Sequence, residues 1–124
     1  MSANPARRQA FGLAVLTGLL ALPVYGLYLA TPSAEQQIPY VDKFVHMAMF
    51  ATPAAVAAAF RFRWAIAVLV VHAIVSEPLQ GALTTTRNVD FWDMVADLLG
   101  IVVGVAAVRQ WRTDRPRVGS EVGR

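Results

Sequence analysis

Apolar runs separated by short polar connections make up most of the chain, at residues 9–30, 44–60, 64–83 and 91–111, and the first carries no charge at all. Crossing about 30 Å of hydrocarbon at about 1.5 Å per residue takes roughly 20 residues, so each run approaches or exceeds a membrane span. In lipid a backbone satisfies its own polar groups only as a helix or a closed barrel, and four strands close no barrel. The pattern predicts an all-α polytopic membrane protein, a four-helix transmembrane bundle over residues 1–111. Residues 112–124, RTDRPRVGSEVGR, are polar and bear Pro and Gly, which predicts a disordered tail. Pro23, Pro53 and Pro78 fall inside the runs, where neighbouring helices can satisfy the freed carbonyls. A cleaved leader is the competing reading of 9–30, with Arg7 and Arg8 as its basic flank. Its apolar stretch is too long, however, and Pro32 would stand where a cut at Ala34 needs a small residue.

Composition agrees. Residues of the AVILMFWYC set make up 56% of the chain and charged residues 15%, against about 25% charged in soluble domains. A chain of 124 residues forms one domain, with too little interior to hide that much apolar side chain. The absence of Cys excludes disulfide frameworks and thiol nucleophiles. A net charge of +3 would suit nucleic acid, but the basic residues cluster between the runs. That is a topology signal, and no nucleic-acid partner is expected. Arg7, Arg8, Arg61, Arg63, Arg109, Arg112, Arg115 and Arg117 lie on one side, against Lys43 and Arg87 on the other. This excess places both termini and the 61–63 connection in the cytoplasm.

The unusual polar residues then gather at the outward ends. Asp42 and His46 are four apart, and Lys43 and His46 three apart, so all three share one helix face. Glu77 and Gln80 are three apart on the third run, with Arg87 and Asp90 in the connection after it. Asp93, Asp97, Gly100 and Gly104 form one stripe on the fourth, acidic at the outer end and small further in, which lets a neighbouring helix approach closely. An ionised Asp at mid-membrane costs about 2.5–3.5 kcal/mol, so such residues face partners or water and mark function.

The ordered set Asp42-Lys43-x-x-His46 with Phe50, Glu77-x-x-Gln80, Arg87, and Asp93 with Gly100 and Gly104 resembles the VanZ-like family of small bacterial membrane proteins, over about residues 42–104. One position departs: where the family pattern has Asn, this chain has Asp97. The resemblance implies a multi-pass protein of the bacterial cytoplasmic (inner) membrane that alters envelope properties or tolerance to glycopeptide- or lipopeptide-type compounds. Its expected partners are membrane lipids or a lipid-linked envelope molecule.

Two mechanistic classes follow. In a binding module with an outward-opening polar pocket, Lys43 and Arg87 hold an anionic headgroup, and Asp42, Gln80 and Asp97 line the same site. In an enzyme, His46 and Glu77 form the acid–base pair and Asp93 orients the imidazole. Each residue also has a plainer role: His46 as a bridge between helices, Glu77 in an ion pair with Arg87 or Lys43, and Asp90 as an N-cap with Asp93 in the first helical turn. His46, Glu77, Asp93 and Asp97 would offer an oxygen-rich metal site, but the tight spacing of metal motifs is lacking and Lys43 and Arg87 supply compensating charge. No metal or cofactor is expected. Ser76 lies about 100° around the helix from Glu77, which argues against a serine triad. His72 reads as packing. Transport by alternating access would need several copies, so association as a homo-oligomer stays open.

Overall fold

The computed structural model describes residues 4–29, 40–83 and 90–115. Among them all regular structure is helical: α1 over Pro5–Val24, continuing into a π-helical turn at Tyr25–Leu29, then α2 over Val41–Phe60, α3 over Arg63–Leu83 and α4 over Phe91–Thr113. Three of the helices, α2, α3 and α4, are long and apolar enough to cross a membrane, with mean hydropathy of 1.3, 1.6 and 1.9 in their most apolar stretches.

Helix ends follow local chemistry rather than the limits of the apolar runs. α1 starts at Pro5, a residue pre-set for the first helical position, behind Asn4, whose Oδ1 accepts the Ala6 N–H at 3.0 Å. Arg7 and Arg8 therefore lie inside the helix. Pro23 has no N–H to return to the preceding turn, and just beyond it the Tyr25 N–H is shared between the Ala21 and Leu22 carbonyls as the helix widens. α2 ends in a Schellman closure: Arg61 adopts a left-handed conformation (φ 63°), and the Phe62 N–H reaches back to the Ala57 carbonyl at 2.8 Å. The apolar residue after the turn, Phe62, is buried with Leu16, Ala57 and Ala65. α4 extends to Thr113, so the first residues of the expected tail are helical.

α2 and α4 make the most extensive contact, and they run parallel. Gly100 faces the Met47 carbonyl, Gly104 faces the Ala51 carbonyl, and Arg112 donates to the Ala59 carbonyl at 2.6 Å. All three contacts share one offset of 53 positions. A Cβ on Gly100 would stand 3.0 Å from the Met47 carbonyl carbon and closer still to its oxygen, and Gly104 meets Ala51 in the same way. Only glycine permits this approach, as the small stripe of the fourth run predicts. α3 packs against both helices, more on α4 than on α2. α1 packs mainly on α2, where Gly12 abuts the Phe60 ring and the Arg8 guanidinium lies 5.5 Å from the ring centroid.

The interior is made largely of small side chains: Ala54, Ala57, Ala65 and Ala73 are fully buried, with Phe50, Leu16 and Leu69 filling the larger spaces. Large apolar side chains such as Phe11, Val71, Ile74, Leu99, Val102 and Val103 point outward. A water-soluble domain would hide those groups. In lipid, small residues at the seams and large ones on the outside are the expected distribution.

Candidate functional site

The polar site is built at the N-terminal end of the α2–α4 seam. Asp90 caps α4, its Oδ1 accepting the Trp92 N–H at 2.9 Å, and its other oxygen pairs with Lys43. The capping expected of Asp90 is thus present, with a charge pair added. The Lys43 ammonium and the Trp92 N–H together hold the Asp90 carboxyl below the usual carboxylate range. Lys43 also reaches Asp93 at 2.5 Å and Asp42 at 3.3 Å. Its charge is enclosed by three aspartates from two helices.

Below this knot the site becomes drier. Side-chain exposure along α4 falls from 41% at Asp90 to 15% at Asp93 and 1% at Asp97. His46 lies at the dry end. Its Nδ1 shares a hydrogen bond of 3.0 Å with Asp97 Oδ1, and its Nε2 is 3.8 Å from Asp93 Oδ2, beyond hydrogen-bond reach. The carboxylate that orients the imidazole is therefore Asp97, one turn deeper than Asp93, because Asp93 is already turned toward Lys43.

Ser76 completes this layer. Its hydroxyl donates to the Ala73 carbonyl at 2.9 Å and lies 3.5 Å from Asp97 Oδ2. The order is serine, aspartate, histidine, with the carboxylate in the middle, so His46 is not placed to take a proton from Ser76. Sequence reasoning set Ser76 aside, yet a signal was present: Ala73, Ser76, Glu77 and Gln80 fall at helical spacing, and all four are buried on α3. His72, on the same helix, is half-buried against Phe50, with ring centroids 5.5 Å apart.

Glu77 differs from every other member. Only 5% of the residue is exposed, and among the described residues neither carboxyl oxygen has a hydrogen-bond partner. The Asp90 backbone N–H acts on it as a weak donor short of full hydrogen-bond geometry, and Asp93 and His46 lie close enough to act on it electrostatically, so the carboxyl belongs to the same cluster. It makes no ion pair with Lys43. Gln80 is buried one turn further along α3. Arg87 lies outside the described residues. Among the described residues, the five carboxyl groups of Asp42, Glu77, Asp90, Asp93 and Asp97 thus meet one ammonium and one imidazole. Among the described residues no three His, Asp or Glu side chains converge as metal ligands.

Beside the knot, on the outer surface of the seam, a groove of about 520 Å³ runs between α2 and α4. Its walls are Tyr40, Met47, Trp92, Val95 and Leu99, with Lys43 at its edge. Fold and site together define a helical protein with three helices long and apolar enough to cross a membrane and a buried carboxylate–imidazole array. Comparison with protein-family models, with curated proteins and with solved structures found no match.

Proposed function

We propose that this chain is a VanZ-like protein of the bacterial cytoplasmic membrane, a four-helix bundle with both termini in the cytoplasm and the carboxylate–imidazole site at its outer end. The site binds the donor-rich part of an amphiphilic envelope compound, lipid-linked or of glycopeptide or lipopeptide type, and so changes the cell's tolerance to such compounds. One observation carries this reading: the buried, unpartnered carboxyl of Glu77. A carboxyl left so is costly, and it is completed by a proton or by a hydroxyl or ammonium group of a bound molecule. The excess of carboxyl groups around Lys43 favours such donors over the anionic headgroup that a free Lys43 would have attracted. The apolar groove beside it suits an acyl or aromatic portion of the same ligand.

The test is tolerance. Cells lacking the protein are complemented with wild type, Glu77→Gln or His46→Ala at equal membrane levels, and the inhibitory concentration of a lipoglycopeptide and of a lipopeptide is measured. Wild type shifts at least one of them and both variants lose the shift; no shift with wild type, or full activity in both variants, overturns the proposal.

A second reading rests on the geometry of His46, whose Nδ1 is fixed by Asp97 while Nε2 faces Asp93 across 3.8 Å. An imidazole held by a carboxylate at one nitrogen can exchange a proton at the other. In this reading the chain is an enzyme acting on a lipid-linked envelope substrate, with His46 and Glu77 as the acid–base pair. Lipid extracts from cells with and without the protein would then differ in a product that His46→Ala cells lack.

A further inference from the structure

The opposite end of the bundle carries a second cavity, and its chemistry is the reverse of the first. The end of α2, the start of α3 and the end of α4 enclose a space of about 360 Å³, bordered by Arg61, Arg63, Arg109 and Arg112. Each of the four side chains is exposed, and among the described residues none is ion-paired with a carboxylate. Arg112 spends one N–H on the Ala59 carbonyl and keeps its remaining donors. Positive charge near the membrane edge is all that topology requires. Topology does not ask that four guanidinium groups from three segments converge on one cavity.

The floor of that cavity is apolar. Ile66 and Val105 line it, and the same two residues, with Arg109, border an adjoining groove of about 330 Å³ between α3 and α4. That groove continues past Ile101 and Val102 toward the middle of the helices. An arginine-lined recess opening into an apolar groove matches a molecule with a phosphate at one end and hydrocarbon at the other. Guanidinium groups bind phosphate oxygens in pairs, and basic recesses between membrane helices hold phospholipid headgroups.

We infer that Arg61, Arg63, Arg109 and Arg112 form a binding site for an anionic phospholipid, its phosphate among the arginines and an acyl chain along Ile66, Ile101 and Val105. The inference rests on the chain residing in a membrane and is independent of what the carboxylate site binds. A soluble phosphate would use the same arginines and leave the apolar groove unfilled, so the lipid is the better match.

The test uses the full chain in neutral detergent, titrated with dioleoylphosphatidylglycerol, dioleoylphosphatidylcholine or inorganic phosphate, with bound ligand counted by native mass spectrometry. Phosphatidylglycerol binds with preference over phosphatidylcholine, and inorganic phosphate at equal concentration does not displace it. The double variant Arg63→Gln/Arg109→Gln, which removes two exposed guanidinium groups that bond to no other described residue, binds about 30-fold more weakly. Its unfolding midpoint without lipid matches wild type, which separates loss of the site from loss of the fold. Equal binding of both lipids, displacement by inorganic phosphate, or undiminished binding to the double variant overturns the inference. So does a double variant whose midpoint falls as far as its affinity, for the arginines would then be holding the helices rather than a lipid.

Discussion

His46 and Asp97, 51 positions apart in sequence, share a hydrogen bond of 3.0 Å at the driest point of the polar site. Asparagine at 97, the residue of the VanZ-like pattern, also offers an oxygen to the imidazole N–H. Asp97→Asn is therefore expected to stay within about 1.5 kcal/mol of wild type, the size of one ordinary hydrogen bond. Asp97→Ala leaves the imidazole nitrogen without its acceptor and loses about 1–3 kcal/mol. Denaturant unfolding in detergent separates the two, and equal losses would mean that the carboxylate charge rather than the bond holds His46.

Gly100 and Gly104 have no room for a methyl group. Gly100→Ala and Gly104→Ala should each destabilise by about 1–3 kcal/mol, because the α2 backbone must move away from the added carbon. Gly18, with nothing within 4 Å of an added Cβ, is the control. Gly18→Ala should be neutral or stabilising by up to about 1 kcal/mol. Thermal unfolding midpoints of the three variants decide the matter.

Asp90 titrates where its pairing with Lys43 is lost. Its folded carboxyl lies below the ordinary value of about 3.9, so its contribution is fully present above that pH and disappears as the pH falls through the folded value. Asp90→Asn keeps a good cap and removes the charge. Wild type should exceed this variant by no more than about 1 kcal/mol at neutral pH, since the pair is partly exposed. The gap should begin to narrow as the pH falls below about 4 and go on narrowing through the lower folded value. A gap that does not narrow at all with falling pH would show that capping rather than charge separates them.

Glu77→Met should raise the unfolding midpoint while abolishing activity in the tolerance assay. A buried carboxyl left without hydrogen-bond partners costs about 1–3 kcal/mol, which an apolar replacement of similar volume removes. A loss of similar size would instead mark Glu77 as a structural tie between α3 and its neighbours.

The faces of each helix were legible in the sequence; their neighbours were not. The spacing of Asp42, Lys43 and His46, and of Asp93, Asp97, Gly100 and Gly104, placed each group on one face, and the structure brings the two faces together. Periodicity cannot say which residue of one helix sits level with which residue of another. That register comes from backbone contact at the glycines, and it sets Lys43 beside Asp93 and His46 beside Asp97. Helix ends were misjudged for a related reason. Apolar length measures what lipid will tolerate, whereas a helix starts where its hydrogen bonding begins: α1 at Pro5 behind the Asn4 cap, and α2 at Val41, whose first turn closes with the Phe44 N–H on the Tyr40 carbonyl and has no side-chain cap.

The constant offset of 53 positions between α2 and α4 ties the two ends of the seam together. One residue inserted between Asp97 and Gly100 would turn everything after it by about 100° relative to everything before it. The carboxylates could then meet Lys43 and His46, or the glycines could meet the carbonyls of Met47 and Ala51, but not both at once. The segment between them behaves as a phase-matching spacer, intolerant of any change in length while tolerant of changes in outward-facing composition. Drift in Leu99, Val102 and Val103 is free to follow the surrounding lipid while the count of residues between Asp97 and Gly104 stays fixed.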